Sequence, residues 1–406
     1  AGYALRAEQA RAIHDPLRVR TTVLRTPAAA IALVVLDLLY VPTRVATIVR
    51  HATAEAAGVD PAAIMVTATH THCAPARLAT TDVISAGLAS ASSEAARRAR
   101  QRAEPARLAV AVRPIAGVSA NRRYLGGKVD RDAWILVAQA ASDPARTIAT
   151  IVNFPCHATV LGPEWREVSA DFPGVACATI ERMVGGTATY LQGFAGDVNP
   201  ARAGRGWPEC ARIGTIIGST VAATVLQAQG LFAGLRAESP TYQAEFDVTS
   251  AAACVGVRPR LSAQWASVAV RPESGRPNPP EPGAGDTAVA ESETWIAELL
   301  EAEPNLFGVF DPGPPDEIRI QLLTLADDLH ILGMPGEPFG ATAESLRRHA
   351  PGNLLTAGYA NQSVGYLPPA EEWALGGYEV GCCGYAIETE SALRAAAVEL
   401  LGPGAR

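Results

Sequence analysis

Apolar runs alternate with helix-like stretches along the first part of the chain. Residues 31–39 are almost wholly apolar and predict a buried strand, whereas residues 43–57 predict a helix that ends at Gly58. Residues 64–72 predict the next strand. The alanines and arginines of residues 81–103 recur at the spacing of a long surface helix. This alternation is typical of an α/β protein.

The rest of the chain continues the pattern. We predict further strands at residues 108–113, 135–138, 147–154 and 187–192, and a pair of strands within residues 317–332. We predict further helices at residues 173–183, 210–229, 288–300 and 389–401. The fold class that follows is α/β, with a layered, mixed β-sheet core flanked by helices, and with a site along a sheet edge where strands end beside polar residues.

One segment stands apart from this pattern. Residues 267–286 are rich in proline and glycine, which predicts an exposed loop. The loop is either an insertion or a lid over a substrate, and the sequence favours the insertion.

Composition and charge narrow the class of protein. The 406-residue chain is 48% hydrophobic and 18% charged, which predicts a globular fold. Its net charge of −7 and pI of 5.6 argue against a sequence-independent nucleic-acid binder, which needs a basic surface to displace counterions from phosphates. The expected partner is a small molecule, and the oligomeric state stays open.

Nothing in the sequence predicts a membrane span. The apolar run at residues 31–41 is interrupted by Asp37 and is far shorter than the roughly 20 residues that cross a bilayer. The opening residues, AGYALRAEQA, show no secretory leader. The seven cysteines form no CxxC pair, and their odd number leaves at least one thiol unpaired. We therefore expect a cytoplasmic location, with export of a processed chain left open.

Three of the seven histidines stand at predicted strand ends. His70 and His72, in TATHTHCAP, are two apart on a predicted strand, which would project both imidazoles to one face. His157 follows another predicted strand, in NFPCHAT. Zinc prefers imidazole and carboxylate ligands, and a catalytic zinc site leaves one position for water or substrate. A histidine pair alone is as typical of ordinary packing as of a metal site, so the third histidine strengthens the metal interpretation.

A carboxylate is expected to complete such a site. Glu337, in ILGMPGEPFG, leaves a predicted strand through a Pro-Gly turn, which would hold the acid in a constrained loop. The alternative is a glutamate at the start of a helix over residues 339–348, because acids favour helix N-termini.

The segment QGFAGDVNP is a second candidate for an active-site loop. Gly193 and Gly196 would let the backbone approach a ligand closely, and residues 197–200 predict a tight turn. Asp197 is therefore a candidate site residue. The alternative is an ordinary Asx-type turn after a strand.

These motifs occur in the order found in the neutral ceramidases, zinc amidases that cleave the N-acyl bond of ceramide, and the chain resembles that family. His70 and His72 lie in a motif similar to the family's HTHSGP, His157 in its strand-end histidine motif, and Glu337 in its PGE motif. The resemblance runs through short islands from about residue 13 to residue 385. It implies a single ceramidase-like catalytic domain over residues 1–406, without the C-terminal immunoglobulin-like domain of larger members.

Two tyrosines and an arginine extend the resemblance. GYLPPAEEWALGGYE is similar to the family's YVTTxEEYxxxxYE, which places Tyr366 on the metal-binding tyrosine and Tyr378 on a second active-site tyrosine. Arg122, in SANRR, matches the family's NR motif and is implied to stabilise an oxyanion, a role that suits a permanently charged guanidinium. The ligands implied for one zinc ion per chain are His70, His157, Glu337 and Tyr366. The same resemblance implies that His72 and Tyr378 lie near the scissile carbonyl.

The sequence departs from the family at one position that matters for mechanism. Family members carry GDVSPN, whose serine is the nucleophile, whereas this chain has GDVNPA with Asn199 in that place. Because an amide side chain cannot attack a carbonyl, we expect direct attack by zinc-activated water, with His72 as general base or acid. Arg122 and Tyr378 would hold the oxyanion, and Asn199 would orient water or substrate.

The expected function is therefore zinc-dependent hydrolysis of a carboxamide (N-acyl) bond, ceramidase-like but not directed at ceramide itself. A zinc-dependent esterase or lactonase is the alternative within the same chemistry. The non-enzymatic alternative is a catalytically inactive zinc-containing binding protein, in which Asn199 would mark the loss of catalysis. Asp15, Asp37 and Asp197 are either ligands of a second ion or caps of turns.

Overall fold

Strands and helices alternate along the computed structural model, which describes residue 3 and residues 9–75, 82–232, 259–272 and 315–402. The strands are β1 Ala12–Ile13, β2 Val19–Arg25, β3 Ala30–Leu36, β4 Ile64–Ala68, β5 Ala106–Pro114, β6 Ser119–Asn121, β7 Asp132–Ala140, β8 Asp143–Phe154, β9 Glu167–Val168, β10 Thr187–Gln192, β11 Val198–Pro200, β12 Pro259–Ala269, β13 Glu317–Ala326, β14 Leu329–Gly333, β15 Glu337–Pro338, β16 Asn353–Ala357 and β17 Tyr366–Leu367. The helices are α1 Thr43–Ala57, α2 Asp82–Gln101, α3 Asp171–Val184, α4 Gly206–Phe232, α5 Gly340–His349, α6 Ala370–Trp373, α7 Tyr378–Gly381 and α8 Thr389–Leu401.

The larger sheets are all mixed. One has the strand order β2-β3-β4, a second β10-β8-β7-β5, and a third β12-β13-β14-β16. Each contains one parallel pair, namely β3 with β4, β8 with β10, and β14 with β16, while their other pairs are antiparallel. The predicted class, a mixed α/β core flanked by helices, is confirmed, with several sheets rather than one.

Buried polar side chains link these sheets through β4, β10 and β16, each of which is the last strand at one edge of its sheet. Asn153 on β8 donates from Nδ2 to the carbonyl oxygens of Leu191 on β10 and Thr356 on β16, at 2.9 and 2.8 Å. Thr67 on β4 donates to the carbonyl of Gly358, just after β16, at 2.7 Å. These bonds bring the carboxyl ends of strands from different sheets together, and loops from those ends build the candidate site.

Helix packing explains the one long apolar helix within the described part of the chain. Gly206–Gln227, in α4, has the length and apolar character of a membrane span, but 56% of that stretch is buried inside the protein. The helix lies against α3 and the sheet of β7 and β8. Burial of this kind is typical of a core helix. The search of the sequence for a membrane span had considered residues 31–41 and had overlooked this stretch.

Most predicted elements are confirmed, and the differences lie at their ends. The final helix, Thr389–Leu401, has the predicted bounds, and the strand pair predicted within residues 317–332 is β13 and β14. Residues 267–269, predicted as loop, continue β12 because they pair with β13. Residues 273–286 of the predicted loop and the predicted helix at 288–300 lie outside the described residues.

Candidate metal centre

His70 lies in the turn that follows β4. The strand ends at Ala68, so the predicted strand over residues 64–72 was too long; His70 has a φ of 63°, which is incompatible with a continued strand. Its Nδ1 lies 2.6 Å from the carbonyl oxygen of Leu39, and its ring stacks on Tyr359 at 4.0 Å between centroids. Because Nδ1–H donates to that carbonyl, the lone pair of His70 is on Nε2.

His157 is held in the same way after β8. Its Nδ1 lies 2.7 Å from the carbonyl oxygen of Ala195 and 3.1 Å from that of Val198. On the other side of the ring, Nη1 of Arg122 lies 3.2 Å from Nε2. A guanidinium is only a donor, so Nε2 of His157 presents its lone pair.

The three predicted histidines and the predicted carboxylate converge. One nitrogen from each of His70, His72 and His157 lies within 4.8 Å of the others, and Nε2 of His70 is 3.1 Å from Nε2 of His72. Oε2 of Glu337 lies 3.0 Å from Nε2 of His157 and 3.6 Å from Nε2 of His70. Ligands about 2.0–2.1 Å from a tetrahedral zinc stand about 3.3 Å apart, so this donor set fits such an ion.

The two most buried histidines are neutral. Burial lowers the pKa of His70 to about 3, against the opposing effect of Glu337. Burial, followed by the charge of Arg122, lowers the pKa of His157 to about 3. Metal binding requires the neutral imidazole, so both side chains hold the form that binds zinc throughout the neutral range.

Glu337 reaches the centre from a short strand rather than from a helix. It is buried on β15, and α5 begins only at Gly340. Its backbone N–H donates to the carbonyl of Gly365 at 2.9 Å, and it pairs with Tyr366 in the parallel ladder of β15 and β17. The hydroxyl of Tyr359, whose ring stacks on His70, lies 3.4 Å from Oε2 of Glu337.

Arg122 lies beside this group and contacts both predicted tyrosines. Its Nη2 donates to the hydroxyl of Tyr366 at 2.9 Å, and the guanidinium carbon lies 5.2 Å from the ring of Tyr366 and 5.6 Å from that of Tyr378. Burial opposes the charge, but Tyr366, Glu379 and Glu337 together raise the pKa of Arg122 well above its usual value. The guanidinium therefore stays charged although it is only partly exposed.

The sequence analysis missed the acids that hold this arginine. Glu379 accepts hydrogen bonds from Nε of Arg122 and from Nη1 of Arg123. Arg123 also donates to Glu372 at 2.8 Å, so two neighbouring arginines join the β6 loop to α6 and α7. The tandem arginines of SANRR and the acids of EEW and GYE were the available signal, because two buried guanidiniums require carboxylates.

The GDVNP segment packs against the loop that carries Glu337. Gly196 approaches protein backbone rather than a ligand: a Cβ there would lie 2.4 Å from the carbonyl oxygen of Glu337. Asp197 accepts a hydrogen bond from the N–H of Gly340 at 2.8 Å, and burial raises its pKa to about 6. Asn199 lies on β11 opposite Ala120 of β6. Asp197 thus joins loops, and Asn199 is in the strand that flanks the arginine loop.

His72 lies at the more open side of the histidine group. It is only partly buried, unlike the other two histidines of the centre, and its ring lies 4.8 Å from that of Tyr3. The hydroxyl of Tyr3 donates to the carbonyl of Leu161 at 2.8 Å. Tyr3 therefore forms part of the wall beside His72, a contact that no sequence motif had indicated.

Comparison with known proteins decides the family. The family model described as neutral/alkaline non-lysosomal ceramidase, N-terminal, matches residues 1–215, more than half of the chain. This chain belongs to the neutral/alkaline ceramidase family. The resemblance expected from the motifs is confirmed, and the family is one of metal-dependent hydrolases that act on an amide bond.

Two solved ceramidase structures share the fold. The neutral ceramidase from Pseudomonas aeruginosa has a TM-score of 0.73 and 18% identity, over 100% of this chain and 72% of that one. A ceramidase described as complexed with C2 has a TM-score of 0.70 and 19% identity, over 100% of this chain and 74% of that one. Comparison with curated proteins found no match. At these identities the likeness establishes the ceramidase fold.

Proposed function

We propose that this ceramidase-family chain is a zinc-dependent hydrolase that cleaves a carboxamide (N-acyl) bond and does not prefer ceramide. The observation that carries the proposal is the convergence of Nε2 of His70, Nε2 of His157 and Oε2 of Glu337 beside a partly buried, charged Arg122. Neutral imidazoles and a carboxylate suit zinc, and a fixed cation beside them suits a reaction that develops negative charge on oxygen.

The residues that would hold one zinc ion are His70, His157, Glu337 and Tyr366. Tyr366 joins the set because it pairs with Glu337 in the ladder and its hydroxyl lies 2.9 Å from a guanidinium nitrogen. Burial raises the pKa of this hydroxyl although Arg122 opposes the rise, so the ion itself would have to displace its proton. When bound, zinc would supply Lewis acidity and would lower the pKa of a water bound beside these four residues to about 7.

Arg122 and Tyr378 would stabilise the oxyanion of the tetrahedral intermediate. The guanidinium is fixed on one side by Glu379 and stands over the rings of both tyrosines, so it needs no rearrangement as charge develops. The ring of Tyr378 lies 5.6 Å from that of Tyr366, and we assign its hydroxyl as a second donor to that oxyanion.

His72 would transfer the protons. It is the partly buried histidine of the group, so it can exchange protons with solvent while it contacts the centre through His70 at 3.1 Å. Asn199 would orient water or substrate through its amide, because it stands where family members carry the attacking serine and cannot itself attack. This difference supports a reaction without a covalent acyl-enzyme, and with it a substrate other than ceramide.

The test combines metal content with turnover. Zinc is measured by elemental analysis after mild dialysis in the wild type and in His157→Ala, and both are assayed on a panel of N-acyl amides, ceramide, esters and lactones. We expect about one zinc per wild-type chain, loss of that zinc in His157→Ala, and turnover of amides by the wild type alone. His349→Ala, at a histidine on α5 outside the centre, is the matched control and should keep both its zinc and its turnover of amides.

Each of the other outcomes would indicate a different function for this chain. A metal-free wild type that turns over substrate excludes the zinc mechanism. Turnover confined to esters or lactones replaces the amide assignment. Stoichiometric zinc without turnover of any compound would support the alternative of a catalytically inactive zinc-containing binding protein, in which Asn199 marks the loss of catalysis.

A further inference from the structure

Gln192 stands at the end of β10 and is completely buried. Its amide makes three hydrogen bonds with backbone groups of two other loops. Nε2 donates to the carbonyl of Thr69 at 3.2 Å and to the carbonyl of Cys156 at 2.7 Å, while Oε1 accepts from the N–H of Cys156 at 3.0 Å. Both amide hydrogens and the amide oxygen are therefore used.

The two loops that Gln192 joins are those of the candidate ligands. Thr69 immediately precedes His70, and Cys156 immediately precedes His157. His70 has a φ of 63°, a conformation that costs energy for a residue other than glycine and persists only where neighbouring structure holds it. A side chain that bonds to both loops fixes the separation of the two imidazoles.

We propose that Gln192 is a positioning residue for the metal centre, which sets the distance between His70 and His157 without contacting the ion. The inference rests on the proposed zinc site, and deepens it. Residues that orient metal ligands commonly change metal affinity by about 10–100-fold when they are replaced, because the ligands must then be ordered by the ion itself. Gln192 acts on both ligand loops at once.

Asn153 supplies a matched control within the same sheet. It is also buried, it stands opposite Leu191 in the ladder, and its amide also makes three backbone hydrogen bonds. Those bonds go to the carbonyl of Leu191 and to the carbonyl and N–H of Thr356, which lie in strands and not in the ligand loops. Loss of the Asn153 amide should therefore cost stability without separating the histidines.

The experiment compares Gln192→Met with Asn153→Leu, each of which replaces an amide by an apolar side chain of similar size. Zinc is removed from the full-length proteins, and the Kd for zinc is measured by competition with a chromophoric chelator. Circular dichroism and urea unfolding of the zinc-free proteins report folding. We expect the Kd of Gln192→Met to rise at least about tenfold and that of Asn153→Leu to change by less than about threefold, with similar losses of stability.

A second variant keeps the test decisive if Gln192→Met does not fold. Gln192→Asn retains the amide but is shorter by one carbon–carbon bond, about 1.5 Å, so it cannot reach both loops and should also weaken zinc binding about tenfold. A folded Gln192 variant with the wild-type Kd, or an equal rise in Kd for Asn153→Leu, would overturn the inference alone. A wild type that binds no zinc would overturn both the inference and the proposed zinc site.

Discussion

Tyr366 lies directly opposite Glu337 in the parallel ladder of β15 and β17, and its hydroxyl accepts a hydrogen bond from Arg122 at 2.9 Å. The ladder contains only two residue pairs, and its register places Tyr366 beside Glu337. Tyr378, one short helix later, contacts Tyr366 edge-to-face. The guanidinium of Arg122 thus lies beside the rings of both tyrosines.

We predict that removing the two hydroxyls separates metal binding from turnover. Tyr366→Phe should raise the Kd for zinc at least about tenfold, because it removes a proposed ligand. Tyr378→Phe should leave zinc affinity unchanged and lower kcat about 10²-fold, because it removes one oxyanion donor. Zinc titration and steady-state kinetics on the best amide of the panel measure both effects. Equal zinc affinity in Tyr366→Phe and the wild type would remove that tyrosine from the ligand set.

His70 and His72 provide a second separation. We expect His70→Ala to lose zinc and His72→Ala to keep about one zinc per chain with kcat lowered by about 10²–10⁴-fold, the usual contribution of a general acid–base group. Elemental analysis and kinetics decide the result. Their Nε2 atoms are only 3.1 Å apart, so the opposite outcome, zinc lost from His72→Ala, would make His72 a ligand.

Variants of Asn199 test whether water or a side chain attacks the carbonyl. Attack by water predicts that the wild type releases amine without a pre-steady-state burst, whereas Asn199→Ser should acquire a burst approaching about one equivalent if its hydroxyl forms an acyl-enzyme. Asn199→Ala is the control, and should show no burst and a kcat lower by about tenfold. Identical kinetics for all three proteins on every substrate would leave the mechanistic difference from the serine enzymes without support.

The sequence predicted the centre better than it predicted the geometry that builds it. His70, His157 and Glu337 were singled out because rare histidines and a constrained acid stand at strand ends, and strand ends are readable from apolar runs. Arg122 came only from its resemblance to a family motif. The structure brings them together from strands of four different sheets, and no local sequence pattern contains that relation. The family motifs supplied that long-range information, and the hydrophobic pattern did not.

What the sequence missed are contacts that depend on tertiary packing. The turn at His70 was assigned to a strand because its flanking residues favour β structure, while the bond from Nδ1 to Leu39 that stabilises the turn comes from another strand's loop. Glu379 was treated only as part of a motif, because its two arginine partners are more than 250 residues away. Asp197 was proposed as a site residue from its motif alone, and its bond to the N–H of Gly340 was not expected.

We predict that Glu379 contributes to the stability of the folded protein. It is buried between two guanidiniums, so Glu379→Gln leaves two positive charges without their shared carboxylate and should cost about 3 kcal/mol of unfolding free energy. It should also lower kcat, because Arg122 loses its anchor. Glu344→Gln is the control: that carboxylate pairs with Arg348 on the exposed surface of α5, and its loss should cost less than about 1 kcal/mol. Urea unfolding of both variants gives the comparison, and equal costs would contradict the role assigned to Glu379.

Asp171 should make stability depend on pH. It is completely buried at the start of α3, and burial raises its pKa to about 6, although the N–H groups of Leu161 and Phe172 partly oppose the rise. Its usual value is 3.8. Between about pH 4 and pH 6 the folded protein therefore holds a proton that the unfolded chain releases. Stability must fall as pH rises through this window, and the contribution of protonation is lost above pH 6.

Asp171→Asn isolates this contribution because asparagine is close in shape and also adopts the positive φ of 54° found at this position. The variant cannot ionise, so the wild type should lose about 2.5 kcal/mol of unfolding free energy relative to Asp171→Asn between pH 4 and pH 7, which is most of what a pKa difference of about two is worth. Urea unfolding at half-unit pH intervals measures the difference. Parallel curves across the window would mean that Asp171 is ionised in the folded protein, and that its bonds to the two N–H groups outweigh its burial.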